Sequence, residues 1–271
     1  MKSRRPLYPY LVWMGLFVIV PLAMVLYYAF TDTVTGEFTF SNFERFVLDD
    51  LFLSVCLDSL KTALISTLIC LIIAYPFAYF LSRMRARTQT MLHMLVMVPM
   101  WMNFILRICA WQVILDNNGI LNRLFTALGM ERVPMLNTEG AVIVGMVYNF
   151  LPFMIIPIYN VMAKIPGSLL EASRDLGCNG FQVFRRVILP LSVPGVISGI
   201  TMVFVPAAST MVIGPRLGGY DLIGDTINQY IMGTAHNVNA GSILSLVLMV
   251  IILISMMIMN RFDNGEDAVI L

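Results

Sequence analysis

The sequence predicts an all-α membrane protein with six transmembrane helices and both termini in the cytoplasm, on three observations. Hydrophobic residues make up 59% of the 271 and charged ones 12%, whereas about a quarter of the residues of a soluble domain are charged. Six stretches stay apolar over the length a helix needs to cross about 30 Å of hydrocarbon: 7–31, 62–82, 88–110, 140–163, 190–214 and 241–260. With the N-terminus inside, the inner segments collect Lys2, Arg4, Arg5, Arg83, Arg85, Arg87, Lys164, Arg174, Arg185, Arg186 and Arg261, while the outer loops hold Arg45, Arg123, Arg132 and Arg216. That asymmetry is what the positive-inside rule asks for. Most of the 16 acids, among them Asp58, Glu139, Asp221 and Asp225, fall on the outer side, a separate feature that suits a cationic ligand or partner.

The first span follows Lys2, Arg4 and Arg5. It is too long for the apolar core of a secretory signal and shows no small-residue cleavage site, so it reads as an uncleaved anchor. The outer connection from 32 to 58 contains FTFSNFERFV, whose Phe38, Phe40, Phe43 and Phe46 predict a short amphipathic segment lying on the membrane surface. Asp58 and Lys61, at the mouth of the second span, have the i,i+3 spacing of a helical ion pair. A basic inner turn, 83–87, leads to the third span, with Arg107 and Lys61 expected to snorkel at the outer interface. In DNNGILNRLFTALG, Leu121, Leu124, Phe125 and Leu128 recur at helical spacing before Gly129, which predicts a small outer helix. Prolines 152, 157, 190, 194 and 206 crowd the fourth and fifth spans. Within a bilayer they fit kinked helices around a pathway, or simple packing kinks. Gly195 and Gly199 form a G-x-x-x-G, a spacing that serves helix packing and sometimes a subunit contact. With no tandem repeat, 1–271 reads as one transmembrane domain.

Catalysis and metal binding have no foothold in the sequence. The four cysteines show no C-x-x-C spacing, the two histidines stand far apart, and there is no H-E-x-x-H, G-x-S-x-G or phosphate-binding loop. If ATP is used, another chain binds it.

The polar exception is the inner loop 164–189, which contains EASRDLGCNGFQVFRRVILP. Ser168 followed by Glu171 has the capping-box spacing that starts a helix. Leu169, Ala172, Ser173 and Leu176 would form its less polar face and Glu171, Arg174 and Asp175 its polar side, with Gly177 suited to a left-handed exit. Asn179 and Gln182 offer a second start leading into the fifth span. Such a helix–hinge–helix is either a plain connection between spans or a docking lever for a cytosolic partner, since so short a helix needs something to pack against.

Glu171, Ala172, Ser173, Gly177, Val187, Leu189 and Pro190 spell EAS-x3-G-x9-V-x-LP. This resembles the EAA-x3-G-x9-I-x-LP signature of permease subunits of bacterial ABC importers, with Ser173 and Val187 as mild departures. The resemblance implies the type I importer permease fold, and it makes Glu171, Ala172, Ser173, Arg174, Asp175 and Gly177 the coupling helix seated on an ATPase. Residues 58–262 are further similar to the B-type permeases of spermidine/putrescine importers, in YPFAYFLSRMRARTQ, VPMWMNFILRICAW, NGILNRLFTALG, YNFLPFMIIPIYNVM and PLSVPGVISG. That similarity implies a bacterial inner-membrane complex with a C-type permease, two copies of a cytosolic ATPase carrying ATP and Mg, and an extracytoplasmic binding protein. This chain would hold no cofactor or metal, bind lipid but no nucleic acid, and do no chemistry. For a cargo with several ammonium groups, aromatic faces and acceptors are the suited lining, and Trp101, Asn103, Tyr148 and Asn149 interrupt apolar spans beside prolines. The alternatives are an importer permease for another small solute, and an ion-gradient-driven transporter. The latter calls for inverted repeats or ionisable residues at mid-membrane, which the sequence does not display.

Overall fold

The computed structural model describes residues 8–32, 36–40, 43, 50–233 and 236–263. Within them the chain is helical between its loops, with one isolated antiparallel bridge from Thr31 to Phe38. Helix α1 (Tyr8–Met14) passes through a π turn, Gly15–Ile19, into α2 (Val20–Ala29), giving one continuous first span. The described part of the segment expected on the membrane surface packs against the end of that span. The rings of Phe38, Phe40 and Phe43 gather around Phe30 at 5.6 to 5.9 Å; Phe46 lies outside the described residues.

Helix α3 (Asp50–Ser82) is 33 residues long. It starts well before the expected 62, because Asp58 and Lys61 end the hydropathic run without ending the helix. The third span is the main departure from expectation. Instead of one helix over 88–110 there are α4 (Ala86–Met97) with a 3-10 turn, Val98–Trp101, and then α5 (Phe104–Leu115) and α6 (Ile120–Ala127), and the two halves meet at 90°. Pro99 lacks an N–H, Met102 and Asn103 adopt ψ of 146° and 134°, and the Asn103 side chain starts the next helix by accepting from the N–H groups of Ile105 and Leu106 at 2.9 and 3.4 Å. The small outer helix is present as α6, closed by Gly129 at φ +77°.

Helix α7 (Glu139–Met162) matches the expected fourth span and is capped by the Thr138 hydroxyl, which accepts from Ala141 N–H at 3.2 Å. After the inner loop, α9 (Gly180–Val183), a π turn Phe184–Ile188 and α10 (Leu189–Ala208) form one helix from Gly180 to Ala208. The fifth span therefore begins ten residues before the expected 190 and does not reach 214. The helix ends at Ala208 with Ser209 as its C-cap, and beyond it Val212 stands at φ +78°. The π turns Gly15–Ile19 and Phe184–Ile188 each closely precede a proline, Pro21 or Pro190, and a wider turn absorbs the hydrogen bond that proline cannot make; a further π turn, Gly214–Gly218, holds Pro215 at its start. A short helix that the sequence did not announce, α11 (Ile223–Met232), precedes the sixth span, α12 (Val238–Asp263).

Helix α7 is the axis of the bundle, packed between α3 and α10. Its large side chains, Met146, Met154, Ile158 and Met162, are fully enclosed, and α3 meets them with Ala63, Cys70, Ala74 and Ala78. Helix α10 presents Gly195 and Gly199. A methyl group on Gly195 would come within 2.9 Å of the Pro157 carbonyl, and one on Gly199 within 2.7 Å of Met154 Sδ. Hydrophobic exclusion does not hold helices together in lipid, so small residues admitting close approach supply the packing energy. The G-x-x-x-G is thus an internal seam. Pro152 and Pro157 are held inside an unbroken α7, and the sharp bend of the molecule lies in the third span instead.

Candidate coupling loop, pathway residues and outer pocket

Helix α8 (Gly167–Asp175) begins directly after Pro166, whose extended backbone (φ −64°, ψ 136°) makes it the N-cap, with no side-chain cap present. The expected Ser168–Glu171 capping box is therefore not formed: the helix starts two residues early and Ser168 is already inside its first turn. The inward face also differs from expectation. Leu170 and Ser173 face the bundle and Leu170 packs on the core, whereas Leu169, Ala172 and Leu176 face outward, Leu176 at 86% exposure. Glu171, Arg174 and Asp175 are exposed as well. The result is a small surface of mixed apolar and charged character.

The exit from α8 is a full Schellman closure. Gly177 has φ +85°, its N–H donates to Arg174 O at 2.8 Å, and Cys178 N–H donates to Ser173 O at 3.1 Å. Two residues on, the expected second start is present as a reciprocal box. Gln182 N–H donates to Asn179 Oδ1 and Asn179 N–H donates to Gln182 Oε1, both at 2.9 Å. The helix launched there is tied to α3 by Phe184, which meets Tyr75 and Tyr79 edge-on at 5.9 and 6.2 Å, and by a 2.8 Å hydrogen bond between Tyr75 Oη and Ser192 Oγ. Local backbone chemistry thus closes one short helix, turns the chain at a glycine and starts a long one.

The four residues expected along a pathway have separate surroundings. Trp101 is 79% exposed on the 3-10 turn, and the Asn103 side-chain oxygen is committed to capping α5. Tyr148 meets Trp111 edge-on at 5.5 Å, which fastens α5 to α7. Asn149 is enclosed, donating to Gly145 O at 2.8 Å while its Oδ1 has no partner. Arg107, expected to snorkel, is instead 7% exposed, with Nε and Nη1 unpartnered and its guanidinium 5.8 Å from the Phe104 ring centre.

At the end of the bundle opposite α8, a cavity of about 200 Å³ is lined by Asp58, Lys61, Thr62, Glu139 and Tyr220. Lys61 Nζ lies 2.9 Å from Glu139 Oε1, so the lysine pairs across to α7 rather than along its own helix with Asp58. Burial pushes the Tyr220 phenol up, and its hydrogen bond with Thr62 works against that. Nearby, Asp225 is 6% exposed and accepts from the N–H groups of Val212 and Leu222 at 2.6 and 3.2 Å. It holds Val212 in its left-handed backbone. Burial raises the Asp225 carboxyl against the pull of those two donors. Ser59 Oγ accepts from Ile223 N–H at 2.9 Å and pins α11 to α3. Neither Tyr220 nor the capping role of Asp225 was inferred from sequence, although an acid three residues after Leu222 carries the usual mark of a helix start.

Residues 66–265 match the family described as the binding-protein-dependent transport system inner membrane component. The spermidine/putrescine transport system permease protein PotB of Haemophilus influenzae is 38% identical over 261 residues, covering 93% of this chain and 91% of that protein. PotB of Escherichia coli is 37% identical over 254 residues, covering 88% and 92%. Among solved structures, a bacterial ABC transporter involved in import of the acidic polysaccharide alginate superposes with a TM-score of 0.81 at 15% identity, covering 97% of this chain and 94% of the other. An inward-facing MetNI methionine ABC transporter gives 0.60 at 20% identity, covering 79% and 94%. At such identities the likeness is one of fold.

Proposed function

Because the chain belongs to the inner-membrane component family of binding-protein-dependent transport systems and is a multi-pass permease of a bacterial ABC importer, we propose that it imports spermidine and putrescine as half of a translocation path completed by a C-type permease. Two copies of a cytosolic ATPase hold the ATP and Mg, and an extracytoplasmic binding protein delivers the cargo. The similarity to polyamine permeases over 93% of the chain carries this reading.

In this mechanism the chain moves and breaks no bond. Closure of the ATPases draws in α8 through Glu171, Ala172, Ser173, Arg174, Asp175 and Gly177. Supporting this role, the charged side chains of α8 make no ion pair among the described residues, and the helix leads through one glycine turn into the helix from Gly180 to Ala208. Displacement of α8 is passed to that helix and, through the Phe184, Tyr75 and Ser192 contacts, to α3. Along the path, the Trp101 and Tyr148 rings offer faces to an ammonium group and the free Asn149 Oδ1 offers an acceptor; Asn103 acts there by setting the bend.

Reconstitution of the four components in vesicles tests the reading, with ATP-dependent uptake of labelled spermidine and putrescine expected. Glu171→Lys and Gly177→Asp should leave the chain in the membrane and abolish uptake. Wild-type uptake by both variants would remove the coupling role. A loaded binding protein that fails to stimulate the ATPase with either polyamine would shift the cargo to another small solute.

A further inference from the structure

The cavity opposite α8 already holds a cation of the proposed cargo's kind. Lys61 ends in a primary ammonium on a four-carbon chain, the same group that ends putrescine, and that ammonium sits 2.9 Å from a Glu139 oxygen. Asp58 lines the same cavity and makes no ion pair among the described residues, so two carboxylates face one cation. Thr62 supplies a neutral oxygen and Tyr220 a ring and a phenol. The volume of about 200 Å³ is room for one end of a diamine beside the lysine stem.

Stability is a weak explanation for this pair. Both side chains are about half exposed, 58% for Lys61 and 45% for Glu139, and exposed pairs contribute little to folding. Half exposure also leaves Glu139 open to exchange of one ammonium for another, and a displaced lysine can swing into water on its flexible stem.

We propose that Asp58, Thr62, Glu139 and Tyr220 form a subsite for the terminal ammonium of the cargo, which Lys61 fills at rest as a tethered stand-in. This rests on the polyamine reading above. An arriving polyamine competes with Lys61 for Glu139 and brings a second ammonium to Asp58, while the displaced lysine turns into water. The lysine thereby sets a threshold for entry, so that a singly charged amine gains one carboxylate at the expense of one internal pair, whereas a di- or triamine can engage both acids. It also keeps the acidic mouth partly neutralised between cargoes, which disfavours loading by inorganic cations.

Opposite effects of two variants separate this role from a structural one. The assembled complex of both permeases and ATPase, without binding protein, is titrated with labelled putrescine by equilibrium dialysis, and uptake is measured in vesicles with saturating loaded binding protein. Lys61→Met should bind putrescine about tenfold more tightly and Glu139→Gln about tenfold more weakly, the range expected when one charge-assisted hydrogen bond is gained or lost. Uptake should fall in Glu139→Gln. A structural ion pair predicts the same direction in both variants, with melting points lowered together. That result, or unchanged binding in both while the wild type transports polyamine, overturns the subsite and leaves the polyamine reading intact. A wild-type complex that neither binds nor imports polyamine overturns that reading and the ligand assigned here with it.

Discussion

Asp225 shows how one enclosed side chain can govern a turn. Its carboxylate satisfies Val212 N–H and Leu222 N–H at once, and Val212 is held at a positive φ that a β-branched residue rarely adopts. Asp225→Ala should therefore cost about 1 to 2 kcal/mol in thermal or denaturant unfolding of the purified chain. Asp225→Asn sheds the buried charge but keeps only one of the two acceptors and turns its NH2 toward the other N–H, so it should still destabilise, by about 1 kcal/mol. The pH dependence follows in sign. With the folded carboxyl raised above its ordinary 3.8, the folded state keeps a proton that the unfolded chain has lost. The contribution of this group to stability is then greatest in acid and is lost as pH rises through the folded value, a slope that Asp225→Asn should flatten in melts across that range. Legibility at this scale tracks sequence separation. Gly177 and the Asn179–Gln182 box act over three residues and could be read from the sequence. The Lys61 partner, Glu139, comes from another helix, and nothing in the local sequence indicates it. Pro166 made an earlier start available to α8, which is why the apparent Ser168–Glu171 box misled.

Among the elements, the seam of α7 with α10 depends on two missing side chains. Gly199→Leu would drive carbon into Met154 Sδ and the Met154 carbonyl, so it should destabilise the folded chain by about 1 to 3 kcal/mol, seen as a lower melting point and lower membrane yield. Ile200, a neighbour on α10 that is less enclosed, is the control position for the same leucine. The glycine spacing was visible in sequence, but whether it served a second subunit or a second helix of the same chain was not. Hydropathy located the helices and misplaced their ends, because it registers only the portion in hydrocarbon; α3 continues past Asp58 and Lys61. The 90° turn in the third span escaped for a related reason. Hydropathy has no direction, and the Pro99 to Asn103 interval carries no charge to interrupt the apolar run. Helix α11 is too short for its apolar residues to stand out beside true spans.

For the whole molecule, fold class and inner-membrane permease identity were both legible, since composition, the positive-inside asymmetry and one loop motif each report on the entire chain. The organisation of the bundle was not. Helix α7 is its axis, while the first span, outside the matched 66–265 region, has almost no buried side chains and leans on α12. The helix from Gly180 to Ala208 has 29 residues, which at about 1.5 Å per residue is roughly 43 Å, well beyond a hydrocarbon layer of about 30 Å. It must lean or project, and how far depends on the lipid around it. Uptake in vesicles of uniform acyl length should therefore peak at one thickness and fall in both thinner and thicker bilayers, with ATPase turnover less affected than cargo movement. An unchanged ratio of cargo to ATP across thicknesses would argue against it. The host membrane then acts as a gear setting between fuel and freight.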